Sequence, residues 1–266
     1  MPVVLYESMS EFSASLPPTP KKDKSGDSWS GGNSYSESKK LLWRGDSKAV
    51  KKSDALLDKL EGDGIELHTT YWDNDRTGFI PCVPSYLAGS PDSMRRLVEV
   101  PSDTSPMKIF ASVCLSGGFD ASQLETRGTA ILALTRKLSL IRPIELFLYA
   151  DMHGSDSKDG NGHCAIPVVR VETSPLDLTT ASYAIANAGF LRQLCFNWGY
   201  ARGFDGSWAW NSPPQTDNSA KNLKKSLNIG DNDLVIHGAY LSDELMREPL
   251  KWVNNQVKKY ASAIEE

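Results

Sequence analysis

The chain has 266 residues, with 29 basic and 33 acidic side chains, a formal net charge of −4, and 40% apolar and 9% aromatic residues. That length allows one large domain or two small ones, and the apolar share is that of a globular protein rather than a disordered one. The slightly acidic balance excludes a protein that coats duplex DNA or an anionic membrane by bulk charge.

The chain starts Met1-Pro2-Val3-Val4-Leu5-Tyr6-Glu7, without a basic region or a long apolar run, so no signal peptide is expected. No stretch of about 18 apolar residues occurs, so no membrane span is expected either. Residues 8–36 are dominated by Ser, Gly, Lys, Asp and Pro, a composition that buries too little apolar area to offset its ordering entropy. They predict a flexible N-terminal arm over 1–33. Trp29 is the exception, a ring whose area favours anchoring on a neighbouring surface.

Residues 34–105 read as a small helical region followed by an irregular wrap. Ser34 or Ser36 caps a first helix with Leu41, Leu42 and Trp43 on its apolar side. Gly45-Asp46 ends it and caps a second, with Val50, Leu56, Leu57 and Leu60 at helical spacing. Lysines 48, 51, 52 and 59 form its solvated face. A strand is expected near Ile65–Trp72 and a turn at Asp73-Asn74-Asp75. The two prolines of Ile80-Pro81-Cys82-Val83-Pro84 argue against a central strand.

Residues 106–266 change character. Met107–Leu115 is a buried-strand pattern, Ser116-Gly117-Gly118-Phe119 a tight loop, and Asp120 or Ser122 starts a helix to about Ile141. Leu124, Ile131, Leu134, Leu138 and Ile141 point that helix inward, and Ile144–Ala150 is a second strand, which completes a βαβ unit. Cys164–Glu172 and Asp233–Ala239 are further strands. Thr179–Trp198 and Pro249–Ile264 are further helices. This order predicts a three-layer α/β domain with a mainly parallel sheet. The four cysteines, Cys82, Cys114, Cys164 and Cys195, include no C-x-x-C pair and read as buried free thiols of a cytoplasmic protein.

Three segments are candidates for chemistry. The Gly117-Gly118 turn between a strand and a helix N-terminus offers an anion site or a plain packing turn, without a dinucleotide or P-loop pattern. The loop Asp151–His163 sits at the C-terminal end of a strand, where open α/β sheets bind ligands. Its Asp151, His153 and His163 are the set for a divalent metal that activates water, although Asp-Gly-Asn-Gly is also ordinary loop composition. The third is the stretch over 196–210, with Trp198, Tyr200, Arg202, Phe204, Trp208 and Trp210 followed by Lys221, Lys224 and Lys225. Aromatic faces interleaved with cations suit stacking on unpaired bases or a protein hot spot; the alternative is rings folded back over the sheet. His237 lies in a strand pattern and reads as a core histidine.

The strand Ile109–Leu115, entering a Ser-Gly-Gly loop and a long helix, resembles a von Willebrand factor A-like domain. Trp29-Ser30-Gly31-Gly32, Tyr86-Leu87-Ala88-Gly89 and Arg127-Gly128-Thr129-Ala130-Ile131-Leu132-Ala133-Leu134 resemble elements of a family of tailed-bacteriophage proteins carrying such a Rossmann-like half. The resemblance implies a viral origin and a fold, and supplies no activity. A metal-binding domain of this kind has Asp-x-Ser-x-Ser after its first strand; here Ser112-Val113-Cys114-Leu115-Ser116 lacks the leading carboxylate, which implies a degenerate site.

The expected function is that of a non-enzymatic bacteriophage binding or adaptor protein without a cofactor. Its expected partner is single-stranded nucleic acid or a protein of the viral transcription or replication machinery. The rivals are a metal-dependent hydrolase built on the Asp151–His163 loop and a virion or assembly scaffold.

Overall fold

A computed structural model describes residues 3–22, 27–62, 70–99, 106–115, 118–140, 142–150, 152–153, 164–171, 178–203, 223–238 and 243–262. Its main sheet is built from β1 (Val3–Tyr6), β5 (Met107–Ser112), β6 (Ile144–Tyr149), β8 (Cys164–Val171) and β9 (Leu234–Ile236), in the order β1-β8-β6-β5-β9. The short β7 (Met152–His153) pairs with β8. β5 runs parallel to β6 and β9, as the βαβ pattern required, and β1 runs parallel to β8. The β6–β8 pair is antiparallel, so the sheet is mostly but not wholly parallel. It is a mixed α/β fold.

The long helix of the βαβ unit, α5 (Ala121–Ser139), starts at Asp120 as expected. The Asp120 carboxylate accepts from the Gln123 amide, and the Gln123 side chain accepts from the Asp120 amide, a reciprocal capping box. Helices α1 (Met9–Ser15), α2 (Tyr35–Arg44), α3 (Ser47–Gly62), α6 (Leu178–Ala186) and the C-terminal Pro249–Ser262 share a core with α5 on one face of the sheet. The opposite face carries the stacked pair Phe110–Phe147 with Tyr149, Ile166 and Val168. Leu223, Leu227 and Ile229 cover that cluster.

Two expectations change. The N-terminal segment is not a free arm where it is described. Ser8 caps α1 through the Glu11 amide, and Tyr6, Met9, Phe12 and Leu16 enter the main core, Phe12 with no exposure at all. Their three- and four-residue spacing is a helical stripe that the surrounding Ser and Pro content masks. Trp29 is an anchor as expected, packed on Phe196 at 5.9 Å between ring centroids. Gly31 and Gly32 both take φ near 76°, which explains a Gly-Gly pair at the turn into α2.

The irregular wrap contains a second sheet. β2 (Thr70–Asp75), β3 (Ile80–Pro81) and β4 (Met94–Glu99) form an antiparallel unit in the order β2-β4-β3, with a short helix α4 (Val83–Leu87). The expected turn at Asp73–Asp75 is strand instead, in backbone register with Met94–Arg96 of β4, and the Asp75 carboxylate lies 3.0 Å from the Arg96 guanidinium. Pro81 does end a short edge strand, as its missing N–H dictates.

Candidate binding surface

The stretch over 196–210 begins in a helix that starts as a π-helical segment, Phe190–Cys195, and continues as α7 (Phe196–Ala201). Trp198 is completely buried, with its indole N–H donating to the Tyr6 hydroxyl at 2.6 Å. It belongs to the core, so the expectation that it contributes to a contact surface is corrected. Tyr200 is half-buried under the Lys22 ammonium, 4.3 Å from its ring centroid. Arg202 is exposed and lies 4.1 Å over the Trp198 ring, while donating to the Tyr6 hydroxyl. Phe204, Trp208, Trp210 and Lys221 lie outside the described residues. Lys224 and Lys225 are exposed on a helical stretch over 223–227.

Tyr6 of β1 shares the main core with Trp198, whereas Val3 packs against the cluster on the other face of the sheet, which contains Leu223. Among the described residues, none of Lys21, Lys22, Arg202, Lys224 and Lys225 is in an ion pair.

Lys21 and Lys22 are placed by Asn197, which is fully buried. Its carbonyl oxygen accepts from the Lys21 and Lys22 amides at 2.7 and 3.0 Å. Its amide donates to the Lys22 and Gln193 carbonyls at 2.9 and 2.8 Å. Arg192 does similar work one turn earlier: it stacks on Trp29 at 4.3 Å and donates to the carbonyls of Trp29 and Phe119. Burial pushes its pKa down to about 10. Sequence reasoning missed both residues. The available signal was Arg192, Gln193 and Asn197 within an otherwise apolar run from Phe190 to Trp198. Polar groups there must find backbone partners.

The clamp gives a direct prediction. Asn197→Asp replaces the donating amide by a carboxylate facing two carbonyls, at a cost of roughly 3 kcal/mol. Limited trypsin treatment followed by mass spectrometry is expected to show cleavage after Lys21 at least tenfold faster than in the parent chain. An unchanged rate would mean that Asn197 does not hold this segment.

The C-terminal end of the main sheet carries a different constellation. Arg127 of α5 is buried and donates to the Ser112 carbonyl at 2.6 Å and the His237 carbonyl at 2.9 Å. Burial pushes its pKa down to about 10. His237 has an exposed side chain rather than a core one, with Nδ1 3.3 Å from the buried Tyr149 hydroxyl. Ser112 is buried and its hydroxyl accepts from the Cys114 amide at 3.1 Å. The α5 N-terminus is occupied by the Asp120–Gln123 capping box, and Ser116 and Gly117 of the candidate glycine loop lie outside the described residues.

Of the metal candidates, Asp151 and His163 lie outside the described residues, and only the backbone of His153, in β7, is described. Among the described residues there is no group of three or more His, Cys, Asp or Glu able to hold a metal ion. Cys82, Cys114 and Cys195 are buried free thiols. No helix of the described residues is long and apolar enough to cross a membrane.

The fold is that of a mixed α/β protein with a mostly parallel main sheet. The chain belongs to the family described as a domain of unknown function (DUF7192), whose model matches residues 2–259. No curated protein and no solved structure matches it.

Proposed function

We propose that the chain is a non-enzymatic binding or adaptor protein of a tailed bacteriophage, and that its partner is single-stranded nucleic acid. One observation carries the reading: Lys22 and Arg202 lie over the rings of Tyr200 and Trp198 at the start of the most aromatic segment of the chain, Lys224 and Lys225 follow that segment on the surface, and none of the four is in an ion pair among the described residues. Local cations attract phosphates despite a net charge of −4, because screening confines the interaction to about 8 Å at physiological salt. Rings beyond residue 203 supply the stacking partners, each stacked base contributing roughly 1–3 kcal/mol. The phage assignment rests on the Trp29–Gly32, Tyr86–Gly89 and Arg127–Leu134 segments. A von Willebrand factor A-like or Rossmann-like kinship for the main domain is supported by the β5–α5–β6 order. The hydroxyl of Ser112, standing where a metal-binding member has its aspartate, is spent on the Cys114 amide.

The test is a titration of the full chain with fluorophore-free oligonucleotides, single-stranded and duplex, at two salt concentrations, read by tryptophan quenching. Preference for single strands is expected, with a binding constant that falls as salt rises. The double variant Lys224→Ala, Lys225→Ala is expected to weaken binding about tenfold and flatten the salt dependence. Trp208→Ala is expected to remove most of the quenching. Absence of binding at low salt overturns the nucleic-acid reading and favours a protein of the viral transcription or replication machinery.

A further inference from the structure

An open cavity of about 410 Å³ lies between residues 18–20 and helix α2. That size is within the roughly 300–1,000 Å³ of small-molecule sites. Ser36, Lys39, Lys40 and Trp43 line it from one stripe of α2, at the three- and four-residue spacing that brings helical side chains together. Pro18 and Pro20, with Tyr35, form the rest of the lining. The Tyr35 hydroxyl donates to the Pro17 carbonyl at 2.6 Å, which ties the proline segment to α2. Burial pushes the Tyr35 pKa up to about 12, so this hydroxyl stays a donor at physiological pH. One wall is thus a helix and the other a tethered segment whose φ angles two prolines fix.

The charge of the lining has one sign. Among the described residues it holds two ammoniums and a hydroxyl, and no carboxylate. Glu37, the acidic residue of α2, lies outside the lining and 3.8 Å from the Lys40 ammonium, an exposed contact of little strength. Arg44, exposed at the end of the helix, leaves α2 with three cations against that one carboxylate. The Lys39 ammonium lies 5.8 Å from the Tyr35 ring centroid and is in no ion pair among the described residues. Trp43, one turn further along, is 57% exposed. An aromatic surface therefore stands next to a place for negative charge.

We propose that this cavity binds a purine nucleoside 5′-monophosphate. Two neighbouring ammoniums and the Ser36 hydroxyl suit a phosphate monoester better than a lone carboxylate. The monoester brings close to two negative charges at pH 7 and three strong acceptor oxygens. The bicyclic indole of Trp43 offers a stacking area of purine size, and the pyrrolidine rings of Pro18 and Pro20 supply further apolar wall. A peptide is the poorer occupant. Pro18 and Pro20 have no N–H to offer its backbone, and the amides of Lys39, Lys40 and Trp43 are spent inside α2. The site shares no residue with the surface assigned to single-stranded nucleic acid and does not rest on that reading.

Isothermal titration calorimetry of the full chain with adenosine 5′-monophosphate tests this. The expected dissociation constant is below about 1 mM, with adenosine and inorganic phosphate each binding at least tenfold more weakly. Lys39→Ala and, separately, Trp43→Ala are expected to weaken binding of the monophosphate at least tenfold. Neither side chain is buried, so far-UV circular dichroism is expected to stay unchanged. If one variant fails to fold, the other still decides. Absence of binding at about 5 mM monophosphate, well above that constant, overturns the proposal, as does binding that neither folded variant weakens. So does tighter binding of phosphotyrosine than of the nucleotide, which would assign the cavity to a phosphopeptide. The double variant Lys224→Ala, Lys225→Ala is expected to bind the monophosphate as the parent chain does, so this proposal and the nucleic-acid reading fail separately.

Discussion

Gly128→Ala is expected to lower stability by about 3 kcal/mol, a large effect for one added methyl group. An alanine Cβ at this position would lie 2.4 Å from the Ala186 Cα and 2.5 Å from the Ile185 carbonyl oxygen. Both contacts are backbone atoms of α6, so no rotamer change relieves them; the two helices must separate. The surrounding stretch of α5, from Arg127 to Thr135, is buried on every side, and separation would open the centre of the main core. Helix propensity pulls the other way, because alanine is better than glycine inside a helix by about 1 kcal/mol. The expected sign follows because the clash exceeds that gain. Thermal unfolding measures it as a fall in the melting midpoint of roughly 6–12 °C. Two controls sharpen the result. Gly118→Ala meets nothing within 4 Å and is expected to be nearly neutral. The pair Gly128→Ala, Ala186→Gly is expected to recover little, since removing the Ala186 methyl leaves the Cα and the Ile185 carbonyl in place. A neutral Gly128→Ala would mean that α5 and α6 do not approach this closely.

The neighbouring residue gives the second large effect. Arg127→Ala is expected to cost about 4 kcal/mol, since one buried and one partly buried carbonyl lose their donor at roughly 1–3 kcal/mol each. The Arg127 fork joins the Ser112 carbonyl, at the end of β5, to the His237 carbonyl, just past β9. β9 has only three residues, so this bridge is a sizeable part of what holds it to β5. Arg127→Met keeps volume and removes a cation whose burial is itself unfavourable, so its cost is expected to be smaller, about 2 kcal/mol. Arg127→Lys is not expected to rescue, because an ammonium lacks the planar fork that reaches both oxygens. Urea unfolding gives the free energies, and hydrogen exchange at the Ile236 amide reports whether β9 detaches first. Equal stability of the lysine and parent chains would show that charge matters here rather than the fork.

Both residues belong to the Arg-Gly-Thr-Ala segment that carries part of the family resemblance. Its pattern marked a helix but not the reason for its residues. A glycine in a helix is recognisable as a cost, yet which backbone it admits depends on α6, about 60 residues later in the chain. The arginine likewise has partners 15 and 110 residues away. The candidate binding residues show the same division. Lys224 and Lys225 were legible as exposed cations, whereas Trp198 looked like one more surface ring until Tyr6 supplied the partner for its indole. Lys22 enters the surface only because Asn197 holds its backbone.

Local physics is strong enough to be read directly. Ser34 and Asp120 cap helices, Gly45 ends one, the β5–α5–β6 periodicity forms a βαβ unit, and Pro81 confines its strand to an edge. Each depends on atoms within a few residues, so the sequence by itself determines it. The direction of β8, the recruitment of Val3–Leu16 into the core and the separation of the small sheet were decided only in three dimensions. They depend on which apolar face finds which partner, and burial carries no information on sequence distance. Periodicity shows that a stripe is apolar; the packed structure shows what covers it.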